Sequence, residues 1–279
     1  MKKKIEIIKI NDVNKLSRKI KKLEEEGCWI FRGQSNLCNG NLKTSIERMF
    51  DEWGNKDCDR LEVEIALIKK FQREGHSFGI TGYDYLNIPE WLSLMQHYGA
   101  PTRLLDWSHS PWVGLFFAII DSKKKKDSTL WALNWKELDK KTKACVKCIF
   151  KRDNNIMNID DFHTINNLGE GVIKLNSYKQ DARQSVQQST FLFPLDINSS
   201  FMKNMKATLD NKCYKKIKIT SKIRPKIIQK LYRMNITHAT LYPGIEGFSK
   251  SLKHLYHIES ILKTEDCVKT YSELNKKFG

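Results

Sequence analysis

Apolar residues along the chain alternate between helical spacing and short solid runs, and this alternation divides the sequence into elements. Val13, Leu16, Ile20 and Leu23 recur three or four apart, which predicts a helix over 11–26 that Asn11 or Asp12 caps and Gly27 stops. The preceding Ile5-Glu6-Ile7-Ile8-Lys9-Ile10 reads as a strand or the lead into that helix. Cys28-Trp29-Ile30-Phe31 is a short apolar strand that delivers Arg32-Gly33-Gln34-Ser35 at its end. Leu61, Ile65, Ile68 and Phe71 mark a helix over 57–74, and Pro89 opens another that runs to Tyr98 before Gly99. Thr102–Ser108 reads as a buried strand and its exit. Ser110 caps a helix with Pro111 at its first position, and Trp112–Ile120 is so apolar that this helix should be buried.

The second half is less regular. Asp121–Ser128 is a charged loop and Thr129–Trp135 a strand. Residues 139–190 are dense in Asn, Asp and Lys and show no clear period. Ser189–Phe193 looks like a strand, and Lys215–Thr220 alternates Ile with Lys or Thr, as an edge strand with one wet face would. Arg224–Met234 reads as a helix with Pro225 at its start, Thr240–Tyr242 as a short strand, Pro243-Gly244 as a turn and Ile245–His257 as a terminal helix. Short strands interleaved with helices argue for one α+β domain over 1–279. Residues 1–26 are its helical lead-in and 139–190 an insertion, and the N-terminal helices lie as a layer on the sheet.

Composition narrows the setting. No run approaches the length of a membrane span, and the apolar stretch after Met1-Lys2-Lys3-Lys4 is too short and too broken by charge for a signal-peptide core. Seven cysteines, an odd number spread over the chain, fit reduced thiols in a cytoplasm better than a disulfide framework. Lys and Arg exceed Asp and Glu by 49 to 32, a net charge of +17. Such an excess favours a polyanion partner, although Lys-rich runs such as 123–126 equally fit a solvated surface.

Two clusters carry candidate chemistry. In Phe31-Arg32-Gly33-Gln34 an apolar strand ends in a guanidinium that could clamp a phosphate or carboxylate with two parallel hydrogen bonds, and Gly33 lets another group approach the backbone. A surface Arg in an ion pair is the plainer reading of the same residues. The second cluster runs from Gln96 through Pro111. There Arg103 and Asp106 stand at ion-pair spacing, Thr102, Ser108 and His109 could each bond a ligand, and a helix N-terminus follows. A structural corner of ion pair, buried Trp107 and Ser110 cap would use the same residues. Cys145-x-x-Cys148 is at most half a zinc site, Asp160-Asp161-x-His163 fits a hydrated loop better than a nuclease centre, and no metal is expected. The P-loop, Gly-x-Gly-x-x-Gly, Gly-x-Ser-x-Gly and His-Glu-x-x-His motifs are absent.

Phe31-Arg32-Gly33-Gln34, the string Gln96-His97-Tyr98-Gly99-Ala100-Pro101-Thr102-Arg103-Leu104-Leu105-Asp106-Trp107-Ser108, and Ser110-Pro111 followed by Leu115-Phe116-Phe117-Ala118 together resemble the FRG domain. Leu241–Phe248 resembles its C-terminal signature, so the resemblance spans about 25–255. Two positions depart from the pattern: Gly114 where Ala is expected, and Ser189 in place of Gly within Gln187–Phe191.

The family's order of elements is similar to that of the ADP-ribosyltransferase group, which implies a split β-sheet core with flanking helices and NAD as substrate. By that resemblance Arg32 takes the first catalytic position and Glu246 or Gln188 the late one. Arg32, Gly33, Gln34, Tyr98, Thr102, Arg103, Asp106, Trp107, Ser108 and Phe191 surround the dinucleotide, with Trp107, Tyr98 or Phe191 stacking on nicotinamide. Glu246 reads equally well as an acidic residue at a helix start. The implied activity is transfer of ADP-ribose to a macromolecule, nucleic acid and RNA above all, by a toxin of an anti-phage locus held in check by an antitoxin or chaperone. A non-catalytic nucleotide or nucleic-acid binding module is the second expectation and a metal-dependent nuclease the third.

Overall fold

The computed structural model describes residues 5–35, 41–54, 58–85, 87–122, 126–149, 157–175 and 182–259. The first half runs β1 (Glu6–Ile10), α1 (Val13–Glu26), β2 (Trp29–Gln34), α2 (Ser45–Trp53), α3 (Arg60–Gly75), α4 (Ile88–His97), β3 (Leu105–Ser108) and α5 (Pro111–Ile119). Then come β4 (Ser128–Asn134), α6 (Trp135–Ile149), α7 (Ile159–Asn166), β5 (Val172–Leu175), α8 (Ala182–Val186) and β6 (Ser189–Pro194). The chain continues through α9 (Phe201–Thr208), β7 (Tyr214–Ile219), α10 (Arg224–Arg233), α11 (His238–Leu241) and α12 (Ile245–Glu259). Among the described residues no helix is long and apolar enough to cross a membrane.

The strands form one mixed sheet in the order β1-β7-β4-β2-β3-β6-β5, with β1 parallel to β7 and the other neighbours antiparallel. Its centre is weakly stitched. β2 pairs with β4 along six residues, yet it meets β3 only at Phe31 and Ser108. The sheet therefore divides into a β1-β7-β4-β2 half and a β3-β6-β5 half that part from Ser108 towards Leu105.

Three apolar cores hold this arrangement. One face of the first half packs Phe31, Leu130, Ala132 and Ile217 against α1, α5 and α10. The corresponding face of the second half packs Ile173, Phe191 and Phe193 against α2, α3, α4 and α7. The opposite face of both halves shares a core that includes Ile30, Trp107, Trp131, Leu192 and residues of α9. Contact between β2 and α5 is close enough that a Cβ on Gly33 would lie 2.1 Å from the Gly114 carbonyl oxygen and 2.2 Å from the Ala118 nitrogen. A Cβ on Gly114 would in turn lie 2.9 Å from that of Phe31.

Several expectations change. Lys215–Thr220 is not an edge strand: β7 lies between β1 and β4, and its alternation reflects Ile217 and Ile219 facing α1 and α5. Thr240–Tyr242 is not a strand either. Thr237 caps α11 there, its side chain accepting from the Thr240 N–H while Thr240 reaches back to the cap. Only Leu105–Ser108 of the 102–108 run pairs as a strand. Residues 139–190, where the sequence shows no clear period, hold most of α6, all of α7 and α8, and β5, an edge strand that α6 flanks. Asp160–His163 opens α7 instead of sitting in a hydrated loop, with Asp161 completing a capping box on Asn158.

Candidate functional site

The split at the sheet's centre is where the two sequence clusters meet. β2 carries Arg32 one residue past its last contact with β3, and the guanidinium crosses the gap. Its Nη1 donates to the Asp106 carbonyl oxygen, and the Asp106 carboxylate lies 3.7 Å away. A side chain thus bridges where backbone pairing stops. Asp106 is held from behind, since Gln96 Nε2 donates to its Oδ2 at 2.7 Å and the Thr102 hydroxyl donates to Gln96 Oε1 at 2.5 Å. Burial pulls the Arg32 guanidinium below its ordinary pKa; the Asp106 charge opposes this and the nearby Arg48 charge adds to it.

A crevice of about 490 Å³ opens through the split. One wall comes from the shared core, with Leu42 and Trp107; the other comes from the α5 side, with Phe117 and Tyr242. Cations dominate its polar lining: Arg32, Lys43, Arg48 and Arg183, against the single carboxylate of Asp106. Arg48 is placed by α2, which is pinned to the 102 segment. Ser45 Oγ donates to the Thr102 carbonyl oxygen at 3.0 Å and accepts from the Thr102 N–H at 2.9 Å. Arg183 lies over the Tyr242 ring at 4.4 Å and donates to the His97 carbonyl oxygen at 3.3 Å. Burial raises the Tyr242 phenol above its ordinary pKa, Arg183 acting against it. Gln187 closes the end of the crevice, its Nε2 donating to the Leu241 carbonyl oxygen at 2.9 Å and its own carbonyl oxygen accepting from Ser108 Oγ at 2.7 Å. Such a lining of guanidinium groups beside aromatic faces suits a ligand with phosphate and ring parts.

The candidate residues divide. Arg32, Gly33, Gln34, Asp106, Trp107 and Ser108 all line the crevice. The Trp107 ring is buried, and its Nε1 has no partner among the described residues. Arg103 does not point there. It is 1% exposed, paired through Nε and Nη2 with the equally buried Glu64, donates to the Leu195 carbonyl oxygen, and lies between the rings of Phe162 and Phe193. Thr102 is buried and acts through Gln96. Phe191 belongs to a core, and Tyr98 flanks a separate apolar cavity bounded by Phe71 and Met95. Neither is positioned to stack on a ligand in the crevice.

The late candidates also move. Gln188 is exposed at a positive φ of 48°, and Glu246 is exposed in the first turn of α12; neither lines the crevice. Gln187, one residue earlier, does. Gly33 lines the crevice and also admits the close approach of α5. Arg48, Arg183, Gln187 and Tyr242 complete the site without having been singled out. Gln187 and Tyr242 stood inside the stretches that resemble the FRG pattern. Thr44 three residues before Glu47, with Ile46, Met49 and Phe50 behind, could have revealed α2 and so Arg48. No group of three or more His, Cys, Asp or Glu among the described residues could hold a metal ion. The side chains of Cys148, Asp160, His254 and His257 lie outside the described set.

The stretch that builds the centre of this site, from β2 through α5, is the part that known families account for. Residues 27–127 match the FRG domain. The FRG segment holds Arg32, Arg48, Gln96 and Asp106, and it ends before β4. It is shorter than the 25–255 span of the sequence resemblance, and the wall made by Arg183, Gln187 and Tyr242 falls outside it. No curated protein and no solved structure matches the chain.

Proposed function

We propose that the crevice binds NAD and that the chain is an ADP-ribosyltransferase acting on a macromolecule, with nucleic acid, RNA above all, as acceptor. The observation that carries this is the Arg32–Asp106 bridge across a split sheet, at the mouth of a crevice rich in guanidinium groups. Its volume lies within the range of ordinary ligand sites. Arg32, Arg48 and Arg183 suit the pyrophosphate, and Phe117 with the rim of Tyr242, against whose ring Arg183 and His238 pack, suits the rings.

In the reaction the C1′–nitrogen bond of NAD breaks and nicotinamide leaves with the electron pair. An acceptor oxygen or nitrogen then bonds to C1′ and gives up its proton. The cationic sugar that develops calls for negative charge nearby, and Asp106 is the carboxylate in reach. Gln187 takes the late position, where its amide can hold ribose hydroxyls. An enzyme that spends NAD on nucleic acid would harm its own cell, so a toxin role with an antitoxin or chaperone covering the crevice belongs to the same reading.

The test is transfer of label from NAD to RNA, DNA and lysate, with nicotinamide release measured alongside. Transfer should occur and should be lost in Arg32→Ala. Absence of both transfer and release at saturating NAD overturns the enzymatic reading. A second reading is favoured by one observation: the late wall presents the amide Gln187, not a carboxylate. A binding module would then hold a nucleotide without turnover. Calorimetry would show tight NAD binding, abolished in Arg32→Ala, with no nicotinamide released.

A further inference from the structure

The sheet face that carries Arg32 continues away from the crevice as a basic row. Register places Trp131 of β4, Lys216 of β7 and Ile7 of β1 successively beside Arg32. One step towards the crevice end, Thr129, Lys218 and Lys9 follow Gln34 in the same way. The opposite face of these strands is accounted for, because Ile8, Ile10, Ile217 and Ile219 pack into the core under α1 and α5. Lys9 and Lys218 are exposed, and Ile7, two residues before Lys9 on the edge strand, is 56% exposed. Lys216 lies with its Nζ 5.0 Å over the Trp131 ring, and Trp131 Nε1 donates to Gln34 Oε1 at 3.1 Å. The row is thus joined to the crevice lining through side-chain contacts. Burial, and the charge of Lys218, pull the Lys216 ammonium below its usual pKa. At the same end of the sheet Lys126 and Lys222 are exposed, with Asp127 between them accepting from the Ser221 N–H. No acidic residue stands at the paired positions of β1, β7, β4 and β2 on this face.

We infer that this face, from Lys9 across Lys218 to Gln34, is the track on which a single-stranded nucleic acid lies while one of its nucleotides reaches the crevice. The inference rests on the crevice being the NAD site and adds where the acceptor sits. Strands lie about 4.8 Å apart, so Lys218 stands roughly 10 Å and Lys9 roughly 15 Å from the Gln34 position, a short and nearly straight approach. A polynucleotide carries a charge at every backbone unit whatever its sequence, which suits the neighbouring ammonium groups of Lys218 and Lys9 in line with the crevice. A duplex is disfavoured because a base would first have to leave its stack, at a cost of a few kcal/mol.

Lys9→Ala/Lys218→Ala tests the track, since both side chains are exposed and neither lines the crevice. Binding of a labelled single-stranded RNA should weaken several-fold, and the slope of log affinity against log salt should drop by about 0.7 per lysine. NAD binding by calorimetry should be unchanged. Unaltered RNA affinity and salt slope overturn the track while leaving the NAD reading intact. If polyglutamate binds as tightly as RNA and the double variant weakens both equally, the surface recognises acidic chains in general and the nucleic-acid assignment is overturned. Equal affinity for duplex and single strand likewise overturns the single-stranded form.

Discussion

Arg32 was readable from the sequence as the cation that follows a short apolar strand, although β2 runs on through Gln34 and sets Arg32 beside the central split and not at a sheet end. What it faces was less readable. Asp106 and Arg103 both stood in the second cluster, and spacing paired them with each other. The structure gives Asp106 to Arg32 and Arg103 to Glu64, because the chain turns between Arg103 and Leu105 and sends Arg103 into the core beside Phe162 and Phe193 but Asp106 into the crevice. The cap and apolar face of α2 could have located the helix that carries Arg48 but not its role, and Arg183 carried no signal, since a single cation on a helix looks like any solvated residue until the fold aims it at a crevice. The carboxylate of Asp106 has two duties in the proposed reaction, holding Arg32 and opposing positive charge on the sugar. Asp106→Asn keeps shape and can still accept from Gln96. NAD affinity should hold or tighten as Arg32 loses a competing anion, while nicotinamide release should fall on the order of 100-fold. Calorimetry and a release assay on the same preparation check this. Equal losses in both would leave Asp106 only the task of holding Arg32.

At the scale of elements, hydrophobic period located α1, α3, α4, α5, α10, α12 and most strands, and it missed where tertiary contact decides. α2 and α9 are short and lean on buried neighbours, with Glu47 of α2 accepting from the Phe201 N–H at the start of α9. β7 reads as an edge strand because Lys216 and Lys218 alternate with Ile, and only the pairing of β1 outside it shows otherwise. Two contacts between elements make predictions. Gly33→Ala would press a methyl into the α5 backbone, which cannot yield as a side-chain tip could. The loss should be about 3 kcal/mol or more, seen as a lower urea midpoint with ligand binding lost only as the fold is lost. The Arg103–Glu64 pair ties α3 to the approach to β3. Arg103→Met leaves a buried carboxylate alone and should cost about 3–5 kcal/mol. Adding Glu64→Leu should restore most of that in the same urea titration, an outcome a ligand-binding Arg103 would not give.

The whole molecule closes the crevice with pieces far apart in sequence, and its far wall depends on the C-terminal helices. His238 joins them to α5. It is 8% exposed, its ring lies 5.0 Å from Phe116 of α5, and it stacks at 5.9 Å on Tyr242, which lines the crevice. Burial holds the His238 pKa below its ordinary value; Asp121 opposes this, and Lys250 and Lys253 of α12 reinforce it. The folded state therefore takes up a proton less readily than the unfolded chain. The stability this contributes is complete above the unfolded pKa of about 6.5 and is lost as pH falls through the lower folded value. Lowering pH from about 7.5 to about 5 should thus lower the Tm and loosen the α11–α12 wall first. His238→Phe keeps an aromatic ring between Phe116 and Tyr242 but cannot take up the proton. Its Tm should fall less over the same interval, and NAD affinity at the acid end should exceed that of the unaltered protein. Thermal unfolding across pH decides it: parallel curves for the two proteins would mean that the acid sensitivity comes from carboxylates elsewhere and that the wall does not hinge on His238.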